Sequence, residues 1–366
     1  MKIKSVKASV HRVPVQAPLT GEIIQRRRVV FCEVETDQGH TGCAITGQFL
    51  AFAVATALEK EFFPVVRDMD ARDTEAIHEV VGRRLNPRTM TGVVSSALSL
   101  LDIALWDIQG KAAGRSVAQL LGGARDHAAL YVTFGFPEYD RDQLVEAARG
   151  LVAQGFRRLK MVVAVDKGGW REDARRIHAV RQAVGDDVDL MIDANYLFKP
   201  VEAQLLCRAV EDAHLTWFEE PLHQNDARAL ADLRRRTRIP LAAGQMEGHR
   251  WRFRDLVAHG ALDVLQPNVC YGGGYTEARK VAHLAQSYNL PIANGGGWPR
   301  FNMHTMAGLS NGWLVEFHLG MTQTEEYLFR GCPPADPAEN IVRIPAAPGL
   351  GFEPNREALQ ESRISE

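Results

Sequence analysis

At 366 residues the chain is longer than one hydrophobic core usually organises, so we expect two domains. Its 46% hydrophobic and 24% charged residues are typical of a soluble globular protein, and its net charge of −2 gives no reason to expect a nucleic-acid or membrane partner. No apolar run of about 20 residues could span a bilayer, and residues 1–15 lack a signal-peptide core.

The cysteines indicate a reducing compartment. Their number is odd, and no Cys-x-x-Cys pair occurs. Buried, reduced thiols in a cytoplasmic protein are the simplest interpretation. The five cysteines are Cys32, Cys43, Cys207, Cys270 and Cys332.

The first part of the chain predicts a small α+β domain. Up to about residue 45 apolar and polar side chains alternate as in strands, most clearly at 29–36. From 51 to 111 the pattern becomes helical, and 95–111 is its clearest helix. We therefore predict an N-terminal α+β domain over residues 1–125.

From about residue 129 short apolar runs return at an even spacing and end in polar side chains. Asp193 and Glu219 end two such runs, 219 − 193 = 26 residues apart, and Gln245 follows the next at 245 − 219 = 26. Helical patterns lie between the runs, at 172–184, 202–213, 227–236 and 275–288. A short buried strand followed by an amphipathic helix is the βα unit of a parallel barrel.

The even series favours a closed barrel over an open doubly wound sheet. We predict this barrel over residues 126–320, followed by a segment, 321–366, that packs back on the first domain. Chemistry in such barrels sits at the carboxyl ends of the strands. Asp193, Glu219 and Gln245 share that position, so three oxygen-bearing side chains suggest a site for a hard cation.

A short basic run begins at Arg26. Either it lies in a solvated loop, or its loop meets an anionic substrate; the sequence leaves both open.

Four motifs together resemble the enolase superfamily, specifically its mandelate racemase and sugar-acid dehydratase branch. They are residues 96–111, 119–123, 193–195 and 217–221, in the expected order and spacing. The resemblance covers nearly the whole chain. It implies a modified (β/α)7β TIM-type barrel with an α+β capping domain that excludes water and contributes specificity loops.

The chemistry that the resemblance implies is abstraction of the proton α to a carboxylate, with Mg²⁺ stabilising the enolate. Asp193 and Glu219 are implied as two metal ligands. Gln245 stands where the family usually has Glu, directly after Gly244, and is our preferred third ligand. Glu247 is the alternative, because residues two apart on a strand share a face.

The acid/base groups depart from the family pattern. Lys160 matches the first lysine of a Lys-x-Lys pair, but Val162 replaces the second. The positions of the Asp–His dyad are occupied by Asn268 and Gly295. Two-base racemisation is therefore disfavoured, and Lys160 remains as the base or as a group that steers the substrate carboxylate.

Further polar residues complete the predicted site. Glu316 matches an acid that acts toward the substrate carboxylate. His304 and His318 are candidates to protonate a leaving hydroxyl, because histidine titrates near neutrality, but each could instead be a structural histidine. We predict that substrate is bound by Asn195, Asn268, Asn294 and Arg26.

These observations predict a Mg²⁺-dependent dehydratase that converts a polyhydroxy acid to a 2-keto-3-deoxy acid. An epimerase, racemase or cycloisomerase that uses one base is the alternative within enzymes. A relative that binds an acid ligand without turnover is the alternative outside them. We expect a small-molecule carboxylate substrate, no nucleic-acid or membrane partner, and a homo-oligomer.

Overall fold

An antiparallel meander begins the chain and forms the sheet of the first region, in the computed structural model. Its first strand alternates buried and exposed side chains along much of its length, because one face packs on helices. The strands are β1 (Ile3–Gln16), β2 (Ile23–Thr36) and β3 (Thr41–Thr46). The structure describes residues 1–17, 23–47, 49–85 and 92–365, without the side chains of 23–25.

Helices cover the inner face of this sheet. A Cβ on Gly42 would lie 2.0 Å from the carbonyl oxygen of Ala104, so only glycine lets β3 pack this closely on the longest helix. The helices are α1 (Ala51–Ala57), α2 (Phe63–Val66), α3 (Thr74–Leu85), α4 (Val93–Ala113) and α5 (Val117–Leu121), with a π-helical turn at Leu58–Phe62. Among the described helices, only α4 is long and apolar enough to cross a membrane, and 83% of its most apolar window is buried in the protein.

The second region is the closed parallel barrel that the 26-residue period predicts. Strand β10 pairs with β4 and closes the sheet. The seventh position is reduced to Ile292, which bridges Leu265 on one side and Gly312 on the other. The barrel strands are β4 (His127–Phe134), β5 (Arg158–Val162), β6 (Asp189–Asp193), β7 (Phe218–Glu219), β8 (Leu241–Ala243), β9 (Val264–Leu265) and β10 (Leu314–His318).

Helices surround the barrel, and four of them lie near the predicted helical stretches. The helix predicted at 202–213 ends at Ala209, because Val210 leaves helical geometry at φ −123°, ψ 20°, and a 3-10 turn follows at Glu211–Ala213. A second 3-10 turn lies at His223–Asn225. The helices are α6 (Arg141–Ala153), α7 (Trp170–Val184), α8 (Pro200–Ala209), α9 (Ala227–Arg234), α10 (His249–Ala258), α11 (Gly274–Ser287) and α12 (Pro299–Gly308).

The barrel interior is filled by side chains. The ring of Tyr131 meets the indole of Trp217 edge-on, with centroids 5.2 Å apart. Together with five further buried apolar residues on the strands, this pair forms a cluster separate from the main hydrophobic core. The interior is therefore a packed core beneath the polar carboxyl ends of the strands.

The C-terminal segment contacts both regions. Its β12 pairs antiparallel with β4, and its β14 pairs with β1. Arg356 forms an ion pair with Glu33 on β2. The elements are α13 (Leu319–Leu328), β11 (Phe329–Arg330), β12 (Ile341–Arg343), β13 (Glu353–Pro354), α14 (Arg356–Ser362) and β14 (Arg363–Ile364). The domain limits at 125 and 320 remain predictions.

All five cysteines are free thiols. Four are buried, as predicted, and Cys332 is partly exposed.

Candidate active site

Four barrel strands bring one lysine and three carboxylates together. The Nζ of Lys160, on β5, lies 2.9 Å from Glu316 Oε1 on β10 and 3.2 Å from Asp193 Oδ2 on β6. It also donates a short hydrogen bond to Glu219 Oε1, at the end of β7. All four residues are at most 4% exposed. The register of parallel strands thus gathers residues that are up to 316 − 160 = 156 positions apart.

The cluster holds more negative than positive charge. Burial alone would lower the pKa of Lys160, but Glu219 and Glu316 outweigh it and raise that pKa well above its ordinary value. Burial also raises the pKa of Glu219 well above its usual range. Lys160 works to lower this pKa, but the neighbouring carboxylates raise it further. Burial works to raise the pKa of Glu316, but Lys160 and other neighbours outweigh burial, so the pKa of Glu316 is lowered. With all three carboxylates ionised the net charge is −3 + 1 = −2.

The two predicted carboxylate ligands are held by donors on their own strands and neighbouring ones. Glu219 Oε2 accepts hydrogen bonds from Trp217 Nε1 at 3.0 Å and from Gln266 Nε2 at 2.7 Å. Asp193 Oδ1 accepts the backbone N–H of Asn195 at 2.8 Å. Each carboxylate is therefore fixed in orientation, as metal ligands usually are.

Gln245 and Glu247 have different environments. The amide nitrogen of Gln245 points toward Asn195 Oδ1, 3.5 Å away, so its oxygen is the group left for a cation. Both oxygens of Glu247 already accept hydrogen bonds, from Asn225 Nδ2 at 3.1 Å and from Arg252 Nε at 2.9 Å. This arrangement favours Gln245 as the third ligand.

The donor set fits a hard divalent cation. Carboxylate and amide oxygens are the ligands that Mg²⁺ prefers, and a divalent ion would balance the charge of −2 that the cluster carries when all three carboxylates are ionised. Gly296 keeps the space clear, because a Cβ there would lie 3.2 Å from Gln245 Oε1. Asp193, Glu219 and Gln245 are therefore able to hold the ion.

The glycine loop after the seventh strand position faces Glu316. Glu316 Oε2 accepts the backbone N–H of Gly297 at 2.6 Å, and Oε1 accepts the hydroxyl of Thr133. Asn294 and Asn268 hold this loop, each donating from Nδ2 to the carbonyls of Gly295 and Gly297. The structure thus directs both asparagine side chains into the loop. Asn195, by contrast, is exposed beside Asp193.

His318 lies at the edge of the cluster. Its Nδ1 accepts the N–H of Gly320 at 3.2 Å, so the proton of a neutral ring resides on Nε2. Burial lowers the pKa of His318 to about 4, although the nearby Glu316 carboxylate works to raise it. A neutral His318 can therefore donate a hydrogen bond from Nε2.

The structure does not bring His304 into the cluster. It lies on α12, fully buried, where Nδ1 accepts the N–H of Ala118 at 3.3 Å and Nε2 is 3.1 Å from the carbonyl of Leu350. Burial lowers its pKa to about 4. Both ring nitrogens join α12 to neighbouring segments. His304 is therefore a structural histidine and not a group of the active site.

Arg26 is exposed on β2. Because successive side chains on a strand point to opposite faces, its neighbour Arg27 turns inward. Arg27 is buried, and its charge interacts electrostatically with the Tyr271 hydroxyl and with His318. Arg27, which the basic run did not single out, is thus the arginine of this segment that approaches the cluster.

Glu220 is another site residue that the sequence did not single out. Its Oε1 accepts the backbone N–H groups of Gly244 and Gln245, at 2.8 and 3.1 Å. Burial raises the pKa of Glu220 to about 8. Its place directly after Glu219, within the motif 217–221, was the available signal.

Backbone strain occurs at the ends of β6 and β7, among other places. Asn195, Tyr196 and Glu220 have φ of 44°, 65° and 43°, in the left-handed region that non-glycine residues seldom adopt. Such strain is commonly found at functional sites.

Comparisons with known proteins agree with this geometry. The mandelate racemase / muconate lactonizing enzyme N-terminal domain matches residues 1–122, and the enolase C-terminal domain-like family matches 143–358. The chain is 32% identical to the D-galactarolactone cycloisomerase of Agrobacterium fabrum, with 100% of this chain and 99% of that protein covered. It is 28% identical to the arabinonate dehydratase of Saccharolobus solfataricus, with 88% and 87% covered.

Solved structures show the same fold. A putative mandelate racemase from Bordetella bronchiseptica, complexed with 2-oxoglutarate/phosphate, superposes with a TM-score of 0.91 at 28% identity, over 100% of this chain and 99% of that one. A racemase from Streptomyces coelicolor with bound magnesium gives 0.89 at 27% identity, over 99% and 100%.

Proposed function

We propose a lyase function for this chain, which belongs to the enolase superfamily, in its mandelate racemase / muconate lactonizing enzyme branch. The reaction is Mg²⁺-dependent removal of the proton α to a carboxylate, followed by dehydration of a polyhydroxy acid to a 2-keto-3-deoxy acid. The observation that carries this proposal is the buried cluster of one lysine and three carboxylates at the carboxyl ends of the barrel strands.

Asp193, Glu219 and Gln245 would hold Mg²⁺. When bound, the ion supplies positive charge at the substrate carboxylate, where negative charge develops as the α-proton leaves. A magnesium-bound racemase of the same fold supports this choice of ion. Trp217 and Gln266 keep Glu219 in position, and Asn195 does the same for Asp193.

Lys160 is the proposed proton-transfer group. Neutralisation of Asp193 and Glu219 would lessen their hold on the Lys160 proton, and Nζ could then take the α-proton on one face of the substrate. Val162, Asn268 and Gly295 stand where the usual second bases would be. The carboxamide of Asn268 is not basic, and its Nδ2 is bound to the glycine loop.

Glu316 and His318 complete the proposed site. Glu316, fixed by Gly297 and Thr133, is ionised while Lys160 holds its pKa low, and it would donate to the substrate carboxylate only after it takes up a proton. His318 would donate a hydrogen bond from Nε2 to the departing oxygen, and the hydroxide that leaves would become water with a proton equivalent to the one that Lys160 removes. The buried Arg27 limits the site on the side of the first domain.

Cycloisomerisation is the second candidate. The first step is shared, and only the leaving oxygen differs. If that oxygen is a free hydroxyl, water departs; if it belongs to the substrate's own ring, the ring opens and no atom is lost. The full-length similarity to a cycloisomerase favours this candidate specifically. Epimerisation needs a proton donor on each face of the substrate. It has less support, because Val162, Asn268 and Gly295 replace the residues that usually supply the second donor.

The experiment is a screen of acid sugars and their lactones with purified protein and Mg²⁺, with keto-acid release as the readout. Formation of a 2-keto-3-deoxy acid from an open-chain acid supports the dehydratase, and formation from a lactone only supports the cycloisomerase. Tight binding of an acid without conversion of any substrate would instead indicate a non-catalytic acid-binding protein. The cytoplasmic location and the homo-oligomeric state remain predictions.

A further inference from the structure

A second group of ligand-type side chains lies where the first region meets the barrel. His78 is on α3, His249 is the first residue of α10, and Glu277 is on α11. All three are buried, and one nitrogen or oxygen atom from each lies within 4.8 Å of the others. The group shares no residue with the lysine–carboxylate cluster.

The tautomer of His78 is set by a carboxylate behind it. His78 Nε2 donates to Asp102 Oδ1 at 2.8 Å, and Asp102 also accepts the backbone N–H of Thr276 at 3.0 Å. The proton of a neutral His78 therefore sits on Nε2, and the lone pair of Nδ1 faces the group. Such a carboxylate–histidine pair is the usual support of a metal-bound imidazole.

Three ring nitrogens of the group are left unused. His78 Nδ1 and both ring nitrogens of His249 are buried and make no hydrogen bond to the described residues. A buried polar atom without a partner is costly, so native proteins usually supply one. Water or an ion is the available partner here.

The spacing fits ligands of one ion. His249 Nδ1 lies 3.1 Å from Glu277 Oε2 without the alignment of a hydrogen bond, and His78 Nδ1 lies 3.8 Å from Glu277 Oε1. Four-coordinate zinc with bonds of about 2.0 Å places neighbouring ligand atoms about 3.3 Å apart. Small side-chain rotations would therefore bring the three ligands to one ion.

Other contacts of the group define the ligand oxygen. Glu277 Oε1 accepts hydrogen bonds from Arg250 and, at 3.3 Å, from Lys280, and Oε2 accepts the Arg250 backbone N–H at 3.3 Å. Oε2 is thus the oxygen nearer to His249, and it accepts no hydrogen bond from the Arg250 or Lys280 side chain. The positive charge of Arg250 and Lys280 opposes metal binding, so we expect moderate affinity.

The backbone of His249 is strained as well. Its φ is +69°, in the left-handed region where histidine is uncommon. The ring makes no hydrogen bond to the described residues, although the backbone N–H of His249 donates to the carbonyl of Gly272. Strain at a residue whose side chain has no such bond supports a functional reason for the position.

We propose that His78, His249 and Glu277 form a site for a first-row transition metal, Zn²⁺ by ligand chemistry, which joins the first region to the barrel. Two imidazoles and one carboxylate suit Zn²⁺, whereas Mg²⁺ prefers oxygen ligands. A water molecule completes the four ligands. The site is separate from the Mg²⁺ site of the proposed function and does not depend on it.

The test is a Co²⁺ titration of the full-length protein after removal of metals with a chelator. Co²⁺ in a four-coordinate site of nitrogen and oxygen ligands absorbs visible light strongly, whereas six-coordinate Co²⁺ in a carboxylate site absorbs weakly. We expect one equivalent of strongly absorbing Co²⁺, displaced by Zn²⁺. His249→Asn should weaken this binding at least tenfold, and asparagine tolerates the left-handed backbone, so the fold should persist.

Matched variants locate the ion. His259→Asn, at an exposed histidine beyond the same helix, and Asp193→Asn, in the carboxylate cluster, should both keep the strong absorption. His78→Gln provides a second ligand variant if His249→Asn does not fold. Absence of the strong absorption from the wild type would overturn the proposal, as would a signal that Asp193→Asn abolishes and the histidine variants retain.

Discussion

The indole N–H of Trp217 donates to Glu219 Oε2 at 3.0 Å, from a position two residues earlier on the same chain segment. Trp217 also packs edge-on against Tyr131 inside the barrel. One side chain thus connects the packed interior with the proposed metal ligand above it. The orientation of the ligand therefore depends on the barrel core.

Trp217→Phe should weaken Mg²⁺ binding by about 10- to 100-fold, because it removes a donor to a ligand while it keeps an aromatic ring in the core. Mg²⁺ titration by calorimetry measures the effect. Trp251→Phe, at an exposed tryptophan on α10, is the control and should bind as the wild type does. Equal affinity in both variants would mean that the indole does not support the ligand.

Gln245→Ala and Glu247→Ala distinguish the candidates for the third ligand. We expect at least about tenfold weaker Mg²⁺ binding in Gln245→Ala, since a ligand oxygen is lost. Glu247→Ala should bind nearly as the wild type does, because its oxygens are committed to Asn225 and Arg252. The reverse order in the same titration would assign the role to Glu247.

Lys160→Met should lower kcat by about 10²- to 10⁴-fold, the usual share of a general acid/base group. It also leaves Asp193, Glu219 and Glu316 without their buried ammonium. The metal-free variant should therefore unfold at lower denaturant concentration than the wild type, and Mg²⁺ should restore more stability to the variant. Denaturant unfolding with and without Mg²⁺, beside single-turnover kinetics, tests both parts.

The lowered pKa of His304 predicts that the protein loses stability in acid. Its folded pKa of about 4 lies below the ordinary value of 6.5, so the unfolded chain binds the proton more readily. Its contribution is complete above pH 6.5 and is lost as the pH falls from 6.5 to 4, by about 3 kcal/mol at most.

The free energy of unfolding of His304→Gln should therefore depend less on pH in this window than that of the wild type. Urea unfolding at several pH values makes the comparison. His283→Gln, at an exposed histidine, should keep the wild-type slope. The same slope in all three proteins would show that His304 is not the responsible group.

The period in the sequence predicts the barrel and the meeting of two carboxylates at one edge, whereas their role as metal ligands remains a prediction. A parallel barrel places the ends of successive strands at one edge, so Asp193 and Glu219, 26 residues apart, had to meet there. The family resemblance indicated Lys160 and Glu316, which also lie on barrel strands. Local periodicity is enough for Asp193 and Glu219 because the strand register, rather than individual side chains, sets their positions.

Side-chain direction is what the sequence does not specify. Asn268 and Asn294 stand at the predicted strand ends, but their amides bind the glycine loop. His304 follows the seventh strand position closely, yet α12 turns it toward Ala118 and Leu350. Arg27 and not Arg26 faces inward, because one step along a strand exchanges the two faces.

The measurement that tests the central claim most directly is proton NMR of candidate acid sugars with enzyme and Mg²⁺ in D2O. Our account predicts a 2-keto-3-deoxy product, its loss with excess chelator, and no exchange at Cα in Lys160→Met. Epimer formation without any keto product would contradict elimination. Turnover that persists in excess chelator, or exchange at the wild-type rate in Lys160→Met, would contradict the roles of the metal ligands and of Lys160.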